Sequence, residues 1–229
     1  MEAIIDTATD VGAYAEKLAA AGVKTVIRYY NNRNTPANPA KCLGHRELSD
    51  LARAGLSVCA VFEQRGGAGD AAHPKGHIDD LSAAAGARDG ARALALATEL
   101  GQPEGSGIYF AVDWDFAATS ELRQITAYFT AVRTVLTPKY RIGVYGSGLA
   151  ARTLRVKGLA DLVWLAGATG WSGTKLARER GDYHLLQGGQ RKSAIGGFLY
   201  DVNTAGAADF GQWSLPQPPC RATAKPAKL

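Results

Sequence analysis

Apolar residues gather along this chain into short runs rich in Val, Ile, Tyr and Phe, and helix-competent segments separate the first six runs. Strands are predicted over residues 3–6, 25–30, 56–63, 107–115, 141–147, 161–166, 183–187 and 197–203. Between them, helices are predicted over residues 10–21, with Thr9 or Asp10 as cap, 44–54 and 78–100. A further helix, capped by Thr119 or Ser120, runs to about residue 136, and short ones cover 148–155 and 174–179. Gly22 and Gly55 read as helix stops. Only about nine residues separate the last two strands, too few for a helical crossover.

Eight strands, the first six followed by helices, point to an α/β fold: a TIM-like (β/α) barrel, irregular, with helices missing or shortened after the last strands. An open doubly wound sheet is the alternative, but no GxGxxG or GxxxxGK[ST] loop follows the first strand. The expected organisation is one barrel domain over residues 1–214 and a disordered Pro- and Lys-rich tail over 215–229.

The strand 107–115 holds the first chemical signal, because its apolar run ends in Asp113 and Asp115. Side chains two apart share a face of a strand, which puts these two Cα atoms about 6.6 Å apart if the strand stays extended. The polar-ended face of each other strand gives Asp6; Arg28 and Tyr30; Glu63; Tyr145 and Ser147; Trp164; Gln187; and Asp201 and Asn203. In a barrel these faces point inward, and active sites are built at the C-terminal strand ends. Asp6, Glu63, Asp113, Asp115 and Asp201 then converge as candidate catalytic acids. Mutual repulsion should raise the pKa of at least one, which supplies the protonated acid and ionised carboxylate that glycoside hydrolysis needs. Arg28, Tyr30, Tyr145, Trp164, Gln187 and Asn203 are the candidate substrate-binding residues, although Arg28 suits holding carboxylates in place better than touching substrate, and Tyr145 and Trp164 also suit core packing at the barrel top.

The segments Ile5-Asp6, Ile27-Arg28-Tyr29-Tyr30, Phe62-Glu63 and Ala111-Val112-Asp113-Trp114-Asp115 carry a resemblance, which Val144-Tyr145-Gly146, Val163-Trp164-Leu165-Ala166, Leu186-Gln187 and Tyr200-Asp201-Val202-Asn203 continue in order. Over residues 3–213 the chain resembles the lysozyme-like glycoside hydrolases of family 25, and more closely the glycoside hydrolase-like barrels of domain of unknown function 1906. The resemblance implies a barrel with few late helices, in which Asp6, Asp113 and Asp201 match acids of the lysozyme site. Asp115 falls where those enzymes place a proton-donating Glu in an Asp-x-Glu motif, and is one methylene shorter. Glu63, on a neighbouring strand end, could fill part of that gap. The implied function is hydrolysis of peptidoglycan or a related cell-wall glycan; a catalytically weak or inactive glycan-binding module on the same barrel is the alternative.

Charge and cysteine content narrow this further. The net charge is +5, but the 26 Lys and Arg residues are scattered, without a basic face or interleaved aromatics, so nucleic acid is not expected as a partner. The three cysteines, Cys42, Cys59 and Cys220, form no CxxC pair and no disulfide framework. His73 and His77 stand four apart, but Pro74 and Gly76 lie between them, which argues against a helical metal face. No metal or other cofactor is expected, and a monomer is. No run approaches the roughly 20 apolar residues of a membrane span. The first residues lack signal-peptide character, so a secreted or cell-wall location would require a trimmed leader and a cytoplasmic one would not.

Overall fold

Strands adjacent in sequence are adjacent in space all the way round the molecule. In the computed structural model, which describes residues 2–216, eight strands close into one barrel in the order β1 to β8. They are β1 Ile4–Asp6, β2 Thr25–Tyr30, β3 Ser57–Phe62, β4 Gly107–Ala111, β5 Arg141–Gly146, β6 Leu162–Leu165, β7 Leu185–Lys192 and β8 Leu199–Ala205. The first seven pair in parallel, and β8 runs antiparallel to both β7 and β1. The short connection before β8 explains that reversal, since a hairpin can return the chain where a crossover cannot.

Six helices pack outside: α1 Ala15–Ala20, α2 His45–Arg53, α3 Ala83–Glu99, α4 Thr119–Leu136, α5 Gly148–Val156 and α6 Thr174–Arg180. They shorten after α4, and none joins β7 to β8. Local chemistry moved several predicted boundaries. Ser82 takes an extended conformation and accepts the Ala85 N–H, so the predicted helix over 78–100 becomes a 3-10 turn, Ile78–Leu81, followed by α3. The predicted helix over 10–21 likewise divides into a 3-10 turn, Gly12–Tyr14, and α1. Neither Thr119 nor Ser120 caps α4; Glu121 Oε2 instead accepts the Ala118 N–H at 2.8 Å. Leu215, assigned to the tail, packs against the core, and the rest of that predicted disorder, 217–229, lies outside the described residues. Among the described residues no helix is long and apolar enough to cross a membrane.

Alternation along the strands separates two apolar cores. Val26, Val58, Phe62, Ile108, Phe110 and Val144 face the helices, while Ile4, Ile27, Cys59, Val61, Tyr109, Tyr145 and Trp164 fill the barrel. The interior is closely fitted, as in other packed barrels. Gly143 lies opposite Tyr109, where a Cβ would come within 2.3 Å of its ring. Outside, α3 crosses α4 at Gly86, where a Cβ would stand 2.3 Å from the Tyr128 carbonyl oxygen. Gly86→Ala should therefore push backbone against backbone and cost about 1–3 kcal/mol in urea unfolding. Gly44→Ala, where a Cβ meets nothing within 4 Å, should cost about 1 kcal/mol at most as an N-cap change. Equal midpoints for the two variants would show that the α3–α4 contact tolerates the methyl group.

Candidate active site

At the C-terminal mouth of the barrel, strand ends surround a cleft of about 280 Å³. Glu63, Asp113 and Asp201 supply its carboxylates, Tyr29, Tyr145 and Trp164 its aromatic walls, and Gln187 an amide. A neighbouring groove of about 570 Å³ shares Glu63 and Asp113 with the cleft and is also lined by Arg33, Arg65 and Arg88.

The carboxylates sit in different environments. Asp113 follows the end of β4, and its backbone N–H donates to the Gly66 carbonyl at 2.7 Å. Burial, followed by the charge of Glu63, raises its pKa to about 7, against lowering contributions from Lys41 and a Tyr145 hydrogen bond. Glu63 forms an ion pair with Lys41 Nζ at 2.5 Å, and the same ammonium stands 4.6 Å from the centroid of the Tyr29 ring. Asp6 is buried beneath the cleft floor, where Asn203 Nδ2 donates to it at 2.7 Å and the Tyr29 hydroxyl at 3.4 Å. Burial raises Asp6 to about 7, and Asp201 and Glu63 add to the shift while Asn203 and Gln187 oppose it. Burial also raises Asp201.

A polar frame holds the aromatic walls. Trp164 Nε1 donates to Asn203 Oδ1 at 2.8 Å, and the Tyr145 hydroxyl donates to Gln187 Oε1 at 2.7 Å. The Tyr145 and Trp164 rings meet at 63° with centroids 4.8 Å apart. Asn203 thus contacts both a carboxylate and a wall, and supports the cleft from below.

Of the residues expected from sequence, Glu63, Asp113, Asp201, Tyr145, Trp164 and Gln187 line the cleft, with Asp6 and Asn203 directly behind it. Three expectations need correction. The pairing of Ile27 with Cys59 and of Tyr29 with Val61 turns Ile27 and Tyr29 inward, so Arg28 and Tyr30 face away from the cleft. Arg28 is fully buried against Glu47 of α2, and the Tyr30 hydroxyl donates to Gln102 Oε1 at 2.8 Å. Asp115 lies beyond the end of β4, and its two carboxylate oxygens accept the Ser172 N–H at 2.8 Å and hydroxyl at 3.0 Å.

Tyr29 and Lys41 were not expected in the site. The face shared with Cys59 and Val61 could have indicated Tyr29; Lys41 arrives on a loop, and its 22-residue separation from Glu63 has no local signature.

The model of the Rv2525c-like, glycoside hydrolase-like domain family matches residues 16–210. YbfG of Bacillus subtilis (strain 168), named an uncharacterized protein, is 36% identical over 181 residues, covering 73% of this chain and 23% of YbfG. The chain spans about a quarter of the length of its Bacillus relatives. The Mycobacterium tuberculosis (strain ATCC 25618 / H37Rv) protein named "Putative peptidoglycan hydrolase Rv2525c" is 27% identical over 205 residues, 87% of this chain and 79% of the relative. The crystal structure of that Tat-secreted protein with L-tartrate has a TM-score of 0.74 at 24% identity, covering 92% of this chain and 98% of the other. The autolysin LytC of Streptococcus pneumoniae, in a structure with a synthetic peptidoglycan ligand, shares the fold with a TM-score of 0.51 at 13% identity, over 88% of this chain and 46% of LytC.

Proposed function

Because the chain belongs to the Rv2525c-like, glycoside hydrolase-like domain family, we propose that it hydrolyses a glycosidic bond in peptidoglycan or a related cell-wall glycan. The observation that supports this reading most directly is the inequality of two acids in one cleft. Asp113 has a pKa near 7, so it can hold a proton, while Glu63 is engaged with the Lys41 ammonium. In this reading Asp113 protonates the leaving glycosidic oxygen, and Glu63 faces the sugar carbon as the anionic partner. Tyr29 offers its partly exposed ring to a sugar while Tyr145 and Trp164, 8% and 2% exposed, back the cleft behind it; Gln187 and Asp201 offer hydrogen bonds, and Asp6 and Asn203 position the groups in front of them.

The function is tested by incubating purified protein with cell wall and measuring new reducing ends, with the products sized by mass spectrometry. Glycan fragments that end at a single linkage are expected. No release across pH 4–8 would reject the hydrolase reading.

Asp115 takes a positioning role in this account, holding the 168–174 turn through Ser172. Asp115→Ala should consequently lower turnover about tenfold or less, while Asp113→Ala removes about a hundredfold or more. The same engagement of Asp115 favours one second reading, a glycan-binding module that lacks turnover. Tight binding of muropeptides by calorimetry without cleavage during long incubation would select it.

A further inference from the structure

The loop 66–77, whose Gly66 and Ala68 line the groove beside the cleft, brings three ligand-type side chains together away from the carboxylates already described. Ligating atoms of Asp70, His73 and His77 all lie within 4.8 Å of one another. His77 Nε2 is 2.7 Å from Asp70 Oδ2, and His73 Nδ1 is 3.3 Å from Asp70 Oδ1. The imidazole rings are tilted by 39° with centroids 3.8 Å apart. We infer that Asp70, His73 and His77 form a binding site for one divalent first-row transition metal ion, Zn²⁺ being the best fit, that clasps this loop beside the cleft.

Donor type and spacing both favour that ion. Two imidazoles and one carboxylate match the borderline ligand preference of zinc. Bonds of about 2.0 Å in a tetrahedron set donor atoms about 3.3 Å apart, which the His73–Asp70 separation of 3.3 Å meets, while the 2.7 Å His77–Asp70 contact would open by about 0.6 Å on binding. The loop is free of helical geometry, so Pro74 and Gly76 are no obstacle to the arrangement.

Its backbone already holds the carboxylate in place. Asp70 Oδ1 accepts the N–H groups of Ala72 at 2.9 Å and His73 at 2.8 Å, and the His77 N–H donates to Gly67 at 2.7 Å. Gly69 and Gly76 lie so close to the Trp114 ring that a Cβ would stand 2.8 and 2.7 Å from it. The loop is therefore wrapped on the residue next to Asp113, and the Gly66 carbonyl accepts the Asp113 N–H. A metal joining residues 70, 73 and 77 would tighten the wall against which Asp113 is held.

Isothermal titration of the chelator-stripped chain with ZnCl₂, and absorption spectroscopy with Co²⁺, test the site without any glycan and so independently of hydrolysis. One ion per chain is expected, with visible bands of four- or five-coordinate Co²⁺ and a higher Tm in Zn²⁺ than in chelator. His73→Ala and Asp70→Asn should each weaken binding about tenfold or more. His45→Ala, at the exposed His45–Glu99 pair, should leave it unchanged. His73 is mostly exposed, so its variant should match the wild-type Tm in chelator; if it does not, Asp70→Asn decides. No saturable binding by wild type, or equal binding by the loop variants, would overturn the inference.

Discussion

Asp113→Asn is expected to reduce the release of reducing ends from cell wall by about 10²–10⁴-fold, the usual contribution of a positioned general acid. The amide keeps the size of the carboxyl group and removes its proton. Wild-type turnover should fall as pH rises through about 7, where Asp113 loses that proton, and the residual activity of Asp113→Asn should lack this limb. A variant with unchanged release, or a wild-type profile that keeps rising above pH 8, would remove Asp113 from the proposed role.

The same substitution should stabilise the fold at alkaline pH. A carboxyl of ordinary pKa 3.8 raised to about 7 binds a proton more tightly in the folded state than in the unfolded one. Stability is thus lost as pH rises from about 4 to about 7, and stays lower above that. A shift of three units corresponds to about 4 kcal/mol at full burial, with partial screening at the cleft reducing it. Asp113→Asn does not undergo that loss, so its Tm should exceed the wild-type value at pH 8 and converge with it near pH 4. Asp6→Asn should behave similarly, since Asp6 is raised to the same level beneath the cleft. Opposite trends in activity and stability would identify these acids as groups kept at a stability cost.

Much of this arrangement could be read from residue pattern because a barrel imposes simple rules on its strands. Alternation places Glu63 above Val61 and Cys59, and Asp113 above Ala111 and Tyr109, so apolar-to-polar order along one face locates the mouth. The rule failed on β2, where Tyr29 and Tyr30 end opposite faces with the same side-chain type and the charge of Arg28 marked the wrong one. It failed again at Asp115, since the chain stays extended past β4 as far as Asp113 but bends at Trp114, where alternation ends. Lys41 and the Asp70, His73 and His77 group are brought in by loops, whose long-range closure has no period to read. Glu47 was invisible as a partner for a related reason: a helical face shows that it is buried without showing against what.

The Arg28–Glu47 pair yields the largest stability effect expected outside the cleft. Both side chains are essentially inaccessible, at 0% and 1% exposure, and Arg28 Nε and Nη2 donate to the two Glu47 oxygens at 2.7 and 2.9 Å. Arg28 also donates to the Thr7 and Ala40 carbonyls, and Glu47 accepts the Val11 N–H at 2.9 Å, so one pair ties β1, β2, α2 and the loop carrying Lys41. Arg28→Met leaves a buried carboxylate without its countercharge and should cost about 3–5 kcal/mol, a Tm drop on the order of 10 °C. Burial already raises the Glu47 pKa despite Arg28; without the guanidinium it rises further, and the deficit should grow as pH increases from about 4. Arg28→Met with Glu47→Leu should be less destabilised than the sum of the single variants, because the stranded charge is gone although the Val11 N–H loses its acceptor. At a temperature where Arg28→Met remains folded, its KM should equal that of the wild type. A raised KM with an unaltered unfolding midpoint would return Arg28 to the substrate.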